Sequence, residues 1–308
     1  MNVTRRTLLA ASAATLAANV ATGALPAFAA APTTFKHGAF DVTVVSDGHL
    51  TLPVSMLAPN APQAERAALL QAAGQTADQY DSPTNITLIR TASDLILVDM
   101  GSGDRFMPSA GKLWDNLKSA GIDKAKITKV IFTHGHPDHL WGTVDEFDDL
   151  VLPDATFYVG APEWDFWLGD NATRGLPEER AGFVTGARRN FAAIKSKVKI
   201  YKAGDDIVTG IRAIATPGHT QGHMSLELAG NESLIVGGDV LTHPLISFAH
   251  PEWKPTADHV PDVAVETRKR LLDRMATDRA RLIGFHLPYP GVGTVERKDS
   301  AYRFVATT

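Results

Sequence analysis

The 308-residue chain carries 30 Lys and Arg against 34 Asp and Glu, a formal net charge of −4 at pH 7. Because it has no basic stripe or polybasic run, we expect no nucleic-acid partner, and a small molecule as its ligand. It contains no cysteine. Disulfides and thiolate ligands are therefore excluded, and any metal ion must be held by His, Asp or Glu.

Residues 1–29 have the pattern of an export signal. Arg5 and Arg6 precede an uncharged Ala- and Leu-rich stretch that ends in small residues at Ala27-Phe28-Ala29. The arginine pair favours the twin-arginine export machinery and a periplasmic or secreted protein. A membrane anchor is the alternative, but the stretch is only modestly apolar, so we expect cleavage and no stable membrane insertion. Residues 30–308 then form one folded domain with net charge −6.

The first half of this domain predicts strands followed by a helix and another strand. Residues 39–53 alternate and then turn, and residues 85–103 contain two strand-like runs joined by a polar turn. Residues 113–120 place Leu113, Leu117 and Ala120 on one helical face that ends at Gly121. The apolar segment 127–133 is predicted to be a buried strand.

The second half repeats this plan. A strand and helix are predicted over 154–168, and strands with glycine-rich exits over 211–228 and 232–241. Residues 267–291 predict an amphipathic helix and a short strand, with 267–270 on a solvated helix face. The polar segment 169–186 is interpreted as a surface excursion or a lid. Together these elements indicate a layered α/β domain.

A dense histidine cluster follows the buried strand at 127–133. The sequence "THGHPDH" contains His134, His136, Asp138 and His139. A His-x-His pair directs two imidazoles at one ion, while Asp138 and His139 can face a second ion. Each ion needs four or more donors at about 2 Å. The motif therefore predicts part of a two-metal site that other residues must complete.

Three residues downstream can supply the missing ligands. His219, Asp239 and His286 each follow an apolar strand in a tight loop. A histidine or aspartate at such a position usually stabilises a turn or caps a helix. However, strand-end loops along one sheet edge are where α/β enzymes assemble their sites, so these three are candidate metal ligands.

These motifs resemble the metallo-β-lactamase superfamily. The resemblance rests on "LVDMGSG", "THGHPDH", "TPGHTQGH", "GGD" and "FHLP". It implies an αββα sandwich, in which two packed mixed sheets are flanked by helices, and a centre of two divalent ions. Zinc is expected, and manganese, cobalt or iron would suit the same donors. The resemblance assigns His134, His136 and His219 to the first ion, Asp138, His139 and His286 to the second, Asp239 to both, and Asp99 to orienting the histidine loop.

The sequence also resembles a narrower group, the methyl-parathion-hydrolase-like enzymes and quorum-quenching lactonases. This resemblance rests on "PEWDFWL", "HPLISF" and "HLPYPGVG" in addition to the superfamily motifs. It implies hydrolysis of lactones or esters, with phosphotriester hydrolysis, by a metal-bridging hydroxide whose proton Asp138 or Asp239 relays. Aromatic side chains are expected to line the substrate pocket. Trp167, Phe183 and Phe106 match such positions, and Trp141 stands where many members carry glycine.

The sequence leaves several functions, and the roles of several histidines, open. The same metals suit a β-lactamase or a thioesterase, a mononuclear-iron persulfide dioxygenase would use fewer ligands, and a non-catalytic binding module would lack some of them. A homodimer is as compatible with the sequence as a monomer. His243 is expected either beside the ligands or as a plain loop residue, and His223 as a structural hydrogen-bonding residue. Surface or turn roles are expected for the remaining histidines, namely His37, His49, His250 and His259.

Overall fold

The computed structural model describes residues 31–75, 78–174 and 180–307. The expected signal, residues 1–29, lies outside them. A first sheet of seven strands has the order β1 to β7. Pairing is antiparallel from β1 to β4 and parallel from β4 to β7. These strands are β1 (Thr33–His37), β2 (Phe40–Pro53), β3 (Gln79–Arg90), β4 (Leu95–Val98), β5 (Lys129–Ile131), β6 (Thr156–Gly160) and β7 (Val198–Tyr201).

A second seven-stranded sheet has the order β14-β13-β12-β11-β10-β9-β8. Only β11 and β12 pair in parallel, and the other neighbours are antiparallel. Its strands are β8 (Asp206–Val208), β9 (Ile211–Ala215), β10 (Met224–Leu228), β11 (Leu234–Val236), β12 (Arg281–Ile283), β13 (Val292–Lys298) and β14 (Ala301–Ala306). Both sheets are therefore mixed.

Helices cover the outer faces of the two sheets. The α-helices of the described residues are α1 (Gln63–Ala72), α2 (Leu113–Ser119), α3 (Pro137–Leu140), α4 (Ala161–Leu168), α5 (Ala181–Ile194), α6 (Ile246–Ala249) and α7 (Pro261–Asp278). One apolar cluster joins α2, α4 and α5 to the first sheet, and another joins α7 to the second. Within the described ranges, no helix has the length and apolar character needed to cross a membrane.

A second apolar core lies between the sheets. Val42, Ile96 and Ile131 of the first sheet pack with Leu226 and Ile283 of the second in one buried cluster. Burial of apolar surface on both faces of both sheets drives this layering, since each sheet has one face on its partner and the other on helices. The predicted αββα sandwich of two mixed sheets flanked by helices is confirmed.

Two local predictions in helical segments differ from the structure. Part of the segment interpreted as an excursion or lid is helical, because α5 begins at Ala181. Residues 267–270 were expected on a solvated face, but Thr267 and Arg268 are buried. Arg268 carries a charge that its position in the sequence pattern places at the surface. Its burial is tolerable because it pairs with the buried Asp258 and donates to three backbone carbonyls.

The turn expected within residues 39–53 is instead a register shift inside β2, between Ser46 and His49, and Asp47 within it organises the start of α2. Asp47 is buried, and its carboxylate accepts hydrogen bonds from the backbone N–H groups of Ser102, Gly111 and Leu113. Burial raises the pKa of Asp47 to about 6, although these hydrogen bonds oppose the rise. Its carboxylate therefore has a structural role at the helix start and is not among the clustered metal-ligand candidates.

Candidate metal centre

The seven predicted ligands come from loops at the ends of four strands. The histidine loop follows β5, and α3 begins within it at Pro137, so that Asp138 and His139 lie in its first turn. His219 lies between β9 and β10, Asp239 follows β11, and His286 follows β12. The structure brings all seven together as two groups of buried donors.

The first group, here the three-histidine group, consists of His134, His136 and His219. The His136 Nδ1 atom lies 3.0 Å from His134 Nε2 and 2.9 Å from His219 Nε2. Nitrogens bound tetrahedrally to one ion at about 2 Å stand about 3.3 Å apart, so the group is close to the size needed. Burial lowers the pKa of His134 and of His136 well below the ordinary histidine range, while the Asp239 carboxylate raises the pKa of His219 although burial opposes it.

The second group, here the four-residue group, consists of Asp138, His139, Asp239 and His286. The His286 Nε2 atom lies 3.3 Å from Asp138 Oδ2 and 3.1 Å from Asp239 Oδ2, while His139 Nε2 lies 3.1 Å from Asp239 Oδ1. Asp239 Oδ2 is also 3.2 Å from His219 Nε2. Asp239 is thus the residue whose carboxylate reaches both groups.

Unpaired buried atoms support a metal centre here. Asp138 Oδ2, His139 Nε2 and Asp239 Oδ1 are buried and, among the described residues, have no partner with hydrogen-bond geometry. Leaving such atoms unsatisfied costs about 1–3 kcal/mol each, and more for a charged group. Although burial opposes it, the neighbouring His286 and His139 hold the pKa of Asp239 well below its usual range, so its carboxylate is ionised. Nitrogen and carboxylate donors in these numbers fit two divalent ions.

Asp99 lies under the histidine loop, at the position the resemblance implies. Its Oδ1 accepts the backbone N–H of Thr133 at 2.7 Å, and its Oδ2 accepts the Thr133 hydroxyl and His139 Nδ1, both at 2.8 Å. These contacts fix which His139 nitrogen faces the four-residue group. The φ angle of Asp99 is 65°, a left-handed conformation that is strained for aspartate and that the surrounding hydrogen bonds maintain.

His223 has the structural role expected of it, and it also positions a ligand. Its Nε2 accepts the backbone N–H of Asp239 at 3.0 Å, and its Nδ1 lies 2.9 Å from the Thr216 hydroxyl. Burial lowers the pKa of His223 to about 3, so the ring is neutral and can accept this hydrogen bond.

Glu163 joins the two loops that carry the three-histidine group, a role that sequence reasoning missed. Its Oε1 accepts from the Gly135 N–H at 2.7 Å and from Trp167 Nε1 at 2.5 Å. Its Oε2 accepts from the Thr220 hydroxyl at 2.7 Å and from the Gly222 N–H at 3.1 Å. Glu163 is 1% exposed, and burial raises its pKa. A carboxylate amid the "EWDFW" aromatics was the only available signal for it.

The segment at 258–259 also lies at the centre, which was not predicted. His259, expected in a surface or turn role, has its Nε2 atom 2.9 Å from His136 Nε2. Asp258 Oδ1 lies 3.2 Å from His219 Nδ1. Burial lowers the pKa of His259 to about 3. No sequence motif marks these residues, because their contacts depend on a loop more than 30 residues beyond His219.

His243 is not in contact with the ligands. Its Nδ1 accepts the N–H groups of Leu245 and Ile246 at the start of α6, and its Nε2 lies 3.2 Å from Gln75 Oε1. Across the ranges that the structure describes, no hydrogen bond or ion pair joins it to any of the seven ligands. The placement beside the metals is therefore corrected: His243 caps a helix and packs edge-on against Tyr80, 5.6 Å between ring centres.

A cavity opens over the two groups. Its polar floor includes His136, Asp138, His219, Asp239 and His286. Its wall is mainly apolar and is formed by Leu50, Leu52, Met56, Leu57, Phe106, Phe183, Pro255 and Ala257, together with the polar residues Tyr80, Ser82, Arg180 and Thr242. A mostly apolar cleft with a few convergent polar groups is typical of a small-molecule site.

The aromatic pocket residues divide into two pairs. Phe106 and Phe183 line the cavity, as predicted. Trp167 does not, and its assignment is corrected: its ring is fully buried in the core, where its N–H satisfies Glu163. The assignment of Trp141 to the pocket is also corrected. It lies behind the wall, with ring centres 5.7 Å from Phe106 and 6.3 Å from Phe183, and shapes the pocket only through them.

Comparison with known proteins identifies the family. The model for "Metallo-beta-lactamase superfamily" matches residues 80–286, which include all seven candidate ligands. The chain belongs to the metallo-beta-lactamase superfamily. Its described fold, with the ligands on loops at the sheet ends, agrees with this membership.

Two solved structures are similar over nearly the whole chain. AidC, a dizinc quorum-quenching lactonase solved with a homoserine product, has a TM-score of 0.85 and 29% identity, covering 91% of this chain and 98% of its own. The hydrolase AbOPH has a TM-score of 0.84 and 29% identity over the same shares.

Curated relatives are more distant. The probable metallo-hydrolase YflN of Bacillus subtilis is 28% identical over 169 residues, or 51% of this chain and 61% of the relative. An uncharacterized Mycobacterium leprae protein, ML0493, is 30% identical over 155 residues, which are 49% of this chain and 64% of the relative. The matches thus span less than two thirds of these relatives.

Metal removal is expected to destabilise the protein. An ion that binds only the folded state at 100 times its Kd adds about 2.7 kcal/mol, which for a domain of this size is a Tm shift of roughly 5–10 °C. Calorimetry of chelator-treated and zinc-reloaded protein measures this shift, with metal analysis of both samples. Equal Tm values in the two samples, with no metal retained after reloading, would contradict the assigned centre.

Proposed function

We propose that this protein is a dinuclear-metal hydrolase of lactones and related esters, including acyl-homoserine lactones, with phosphotriester hydrolysis as a second activity. The observation that carries the proposal is the convergence of seven donors, five of which form the floor of an apolar cavity. The similarity to AidC supports a lactone as substrate. Zinc is the proposed metal, since neutral imidazoles and carboxylates suit it.

Two divalent ions held by these residues would supply an activated water and a Lewis acid for the ester oxygen. The chain contributes proton handling and orientation. Asp138 and Asp239 line the cavity with carboxylates that can take a proton from water and pass it to the leaving group. Burial, aided by Asp239, raises the pKa of Tyr80, so its hydroxyl stays protonated and can donate a hydrogen bond to a substrate oxygen.

The cavity wall indicates the part of the substrate that does not react. Leu50, Leu52 and Met56 offer aliphatic surface for an acyl chain. Phe106 and Phe183, whose ring centres lie 5.9 Å apart, offer a surface for an aryl leaving group. The second of these features favours aryl esters and aryl phosphotriesters as additional substrates.

A substrate panel on the metal-analysed protein tests the proposal. It includes acyl-homoserine lactones, simple lactones, aryl esters, an aryl phosphotriester, a β-lactam, a thioester and a persulfide. We expect two divalent ions per chain and highest kcat/KM on a lactone. Preference for the β-lactam or thioester would replace the substrate class, and one iron per chain with persulfide-dependent oxygen uptake would overturn the hydrolase assignment.

Shortening Phe183 is expected to change substrate preference. Phe183→Ala removes one aromatic wall of the cavity, which should cost about 1.4 kcal/mol of contact with aryl or long-chain substrates, a tenfold rise in KM. Small lactones should keep their kcat, and metal content should stay at two ions.

The matched control is Phe147→Ala, because Phe147 is 76% exposed and is not part of the cavity wall. Steady-state kinetics on a short and a long acyl lactone separate the effects. Loss of rate on all substrates equally, with loss of metal, would assign Phe183 to supporting the centre.

We also propose export through the twin-arginine machinery to the periplasm or the exterior, supported by Arg5, Arg6 and Ala27-Phe28-Ala29. Changing both arginines to lysine should retain the precursor in the cytoplasm. Unchanged export of that variant, measured by fractionation, would refute this route.

A further inference from the structure

The outer nitrogens of two histidines in the three-histidine group meet one short segment. His136 has Nδ1 among the clustered donors, so its Nε2 points away from them and lies 2.9 Å from His259 Nε2. His219 has Nε2 in the cluster, and its Nδ1 lies 3.2 Å from Asp258 Oδ1. Two consecutive residues therefore contact the rear of two ligands that are 83 positions apart in the chain.

The direction of these hydrogen bonds follows from the ligand roles. A histidine nitrogen that binds a metal carries no proton, so the other nitrogen must carry it. The proton on His219 Nδ1 is then donated to the Asp258 carboxylate. The proton on His136 Nε2 is donated to the lone pair on His259 Nε2. Each contact holds its ligand ring in the orientation and tautomer that metal binding requires.

The segment is itself held in place. Asp258 Oδ2 pairs at 2.9 Å with Arg268, which is 1% exposed. Arg268 also donates to the carbonyl oxygens of Val240, Pro251 and Trp253. The backbone N–H of His259 donates to the His219 carbonyl at 3.0 Å. A fixed support of this kind can impose geometry on the rings it contacts.

The four-residue group has a different support. His139 is held by Asp99, and the Nδ1 atom of His286 lies 2.8 Å from the Pro83 carbonyl and 3.0 Å from the Ser82 hydroxyl. Among the described residues, no hydrogen bond or ion pair joins Asp258 or His259 to a member of this group. Asp99 reaches both groups, because the Thr133 hydroxyl that it holds lies 3.1 Å from His134 Nδ1. The 258–259 segment, in contrast, contacts only the three-histidine group.

We propose that Asp258 and His259 are positioning residues for the three-histidine group, and that they set its metal affinity independently of the four-residue group. The inference rests on the two-metal centre and not on which ester the protein hydrolyses. It gives the three-histidine group a support of its own: the 258–259 segment contacts His136 and His219, whereas Ser82 and Pro83 contact His286 of the other group and Asp99 holds the histidine loop that both groups share.

Metal titration of His259 variants tests this proposal. Metal-free full chain is titrated with Co²⁺, whose visible bands report each site, and the two dissociation constants are refined by competition with a chelator. His259→Phe keeps a ring among Phe166 and Trp167 but cannot accept the His136 proton. We expect it to weaken one site roughly 10- to 100-fold and to leave the other unchanged.

His259→Gln is expected to recover most of that affinity, because its side-chain oxygen can accept from His136 Nε2. His286→Ala assigns the two binding steps, since it removes a ligand from the four-residue group alone. His37→Leu is the matched control: it removes a buried histidine whose Nε2 contacts the Leu228 carbonyl at 3.1 Å, far along the chain from every ligand. We expect both cobalt affinities to be unchanged in it.

The proposal is overturned if His259→Phe weakens cobalt binding at both sites or at neither. It is also overturned if His259→Phe and His259→Gln bind cobalt equally weakly. Urea unfolding of each metal-free variant separates positioning from general stability. Should His259→Phe fail to fold, His259→Leu, which likewise cannot accept the His136 proton, supplies the same comparison, with one site weakened and the other unchanged. A wild-type chain that binds fewer than two ions would overturn the centre itself, whereas absence of lactone turnover would refute only the proposed function.

Discussion

Asp239→Asn is expected to lower kcat/KM by at least about 10³-fold, a loss of about 4 kcal/mol in the barrier. The Asp239 carboxylate contacts ligand nitrogens of both groups, at 3.1–3.2 Å from His139, His219 and His286. An amide keeps one weaker oxygen donor and loses the charge that balances two ions. Kinetics on the best lactone of the panel and metal analysis of the same sample measure the effect.

Asp262→Asn is the control for this substitution, because the Asp262 side chain is 88% exposed and pairs only with Lys254 among the salt bridges of the described residues. It should retain full rate and two ions. An Asp239→Asn protein with both ions and the wild-type rate would show that Asp239 neither joins the groups nor takes part in turnover.

Glu163→Gln is expected to lower the free energy of unfolding by about 2–3 kcal/mol. The Glu163 carboxylate accepts four hydrogen bonds. In glutamine an NH2 group, which cannot accept a hydrogen bond, replaces one of the two oxygens, and at either position it would face at least one N–H group. The Thr220 hydroxyl can turn and accept, but the Gly222 N–H cannot. Urea unfolding of the metal-free protein measures the loss, so that metal binding does not contribute to it.

The exposed Glu252 provides the control substitution, Glu252→Gln, which should change stability by less than about 0.5 kcal/mol. Glu163→Leu removes every acceptor and should cost more than Glu163→Gln. Equal stability of the Gln variant and the wild type would mean that the loops at Gly135 and Thr220 are held without the carboxylate.

Residues marked by local pattern were predictable from the chain. The histidine motif, the strand-end positions of His219, Asp239 and His286, and the alternating strands all depend on short-range spacing. Trp167 was misplaced because helical spacing within "EWDFW" cannot distinguish a ring facing the cavity from one facing the core. Here the decisive contact is the bond to Glu163, made inside the core.

The supports of the centre could not be predicted, because they are long-range contacts. Asp258 and His259 reach His219 and His136 across 39 and 123 positions, and the buried Arg268 pairs with Asp258 and with three backbone carbonyls. Charged and polar residues are usually exposed, and a sequence does not state which of them finds a buried partner.

The sequence by itself determined which side-chain types are candidate ligands and the layered order of strands and helices, because metal coordination demands particular side chains and burial demands particular periods. Only the tertiary structure decided which face of each loop turns inward, which aromatic rings form the cavity wall, and which distant residues hold the ligands. Those features depend on how two packed sheets bring separate strand ends together, and that packing depends on summed long-range contacts that no local segment encodes.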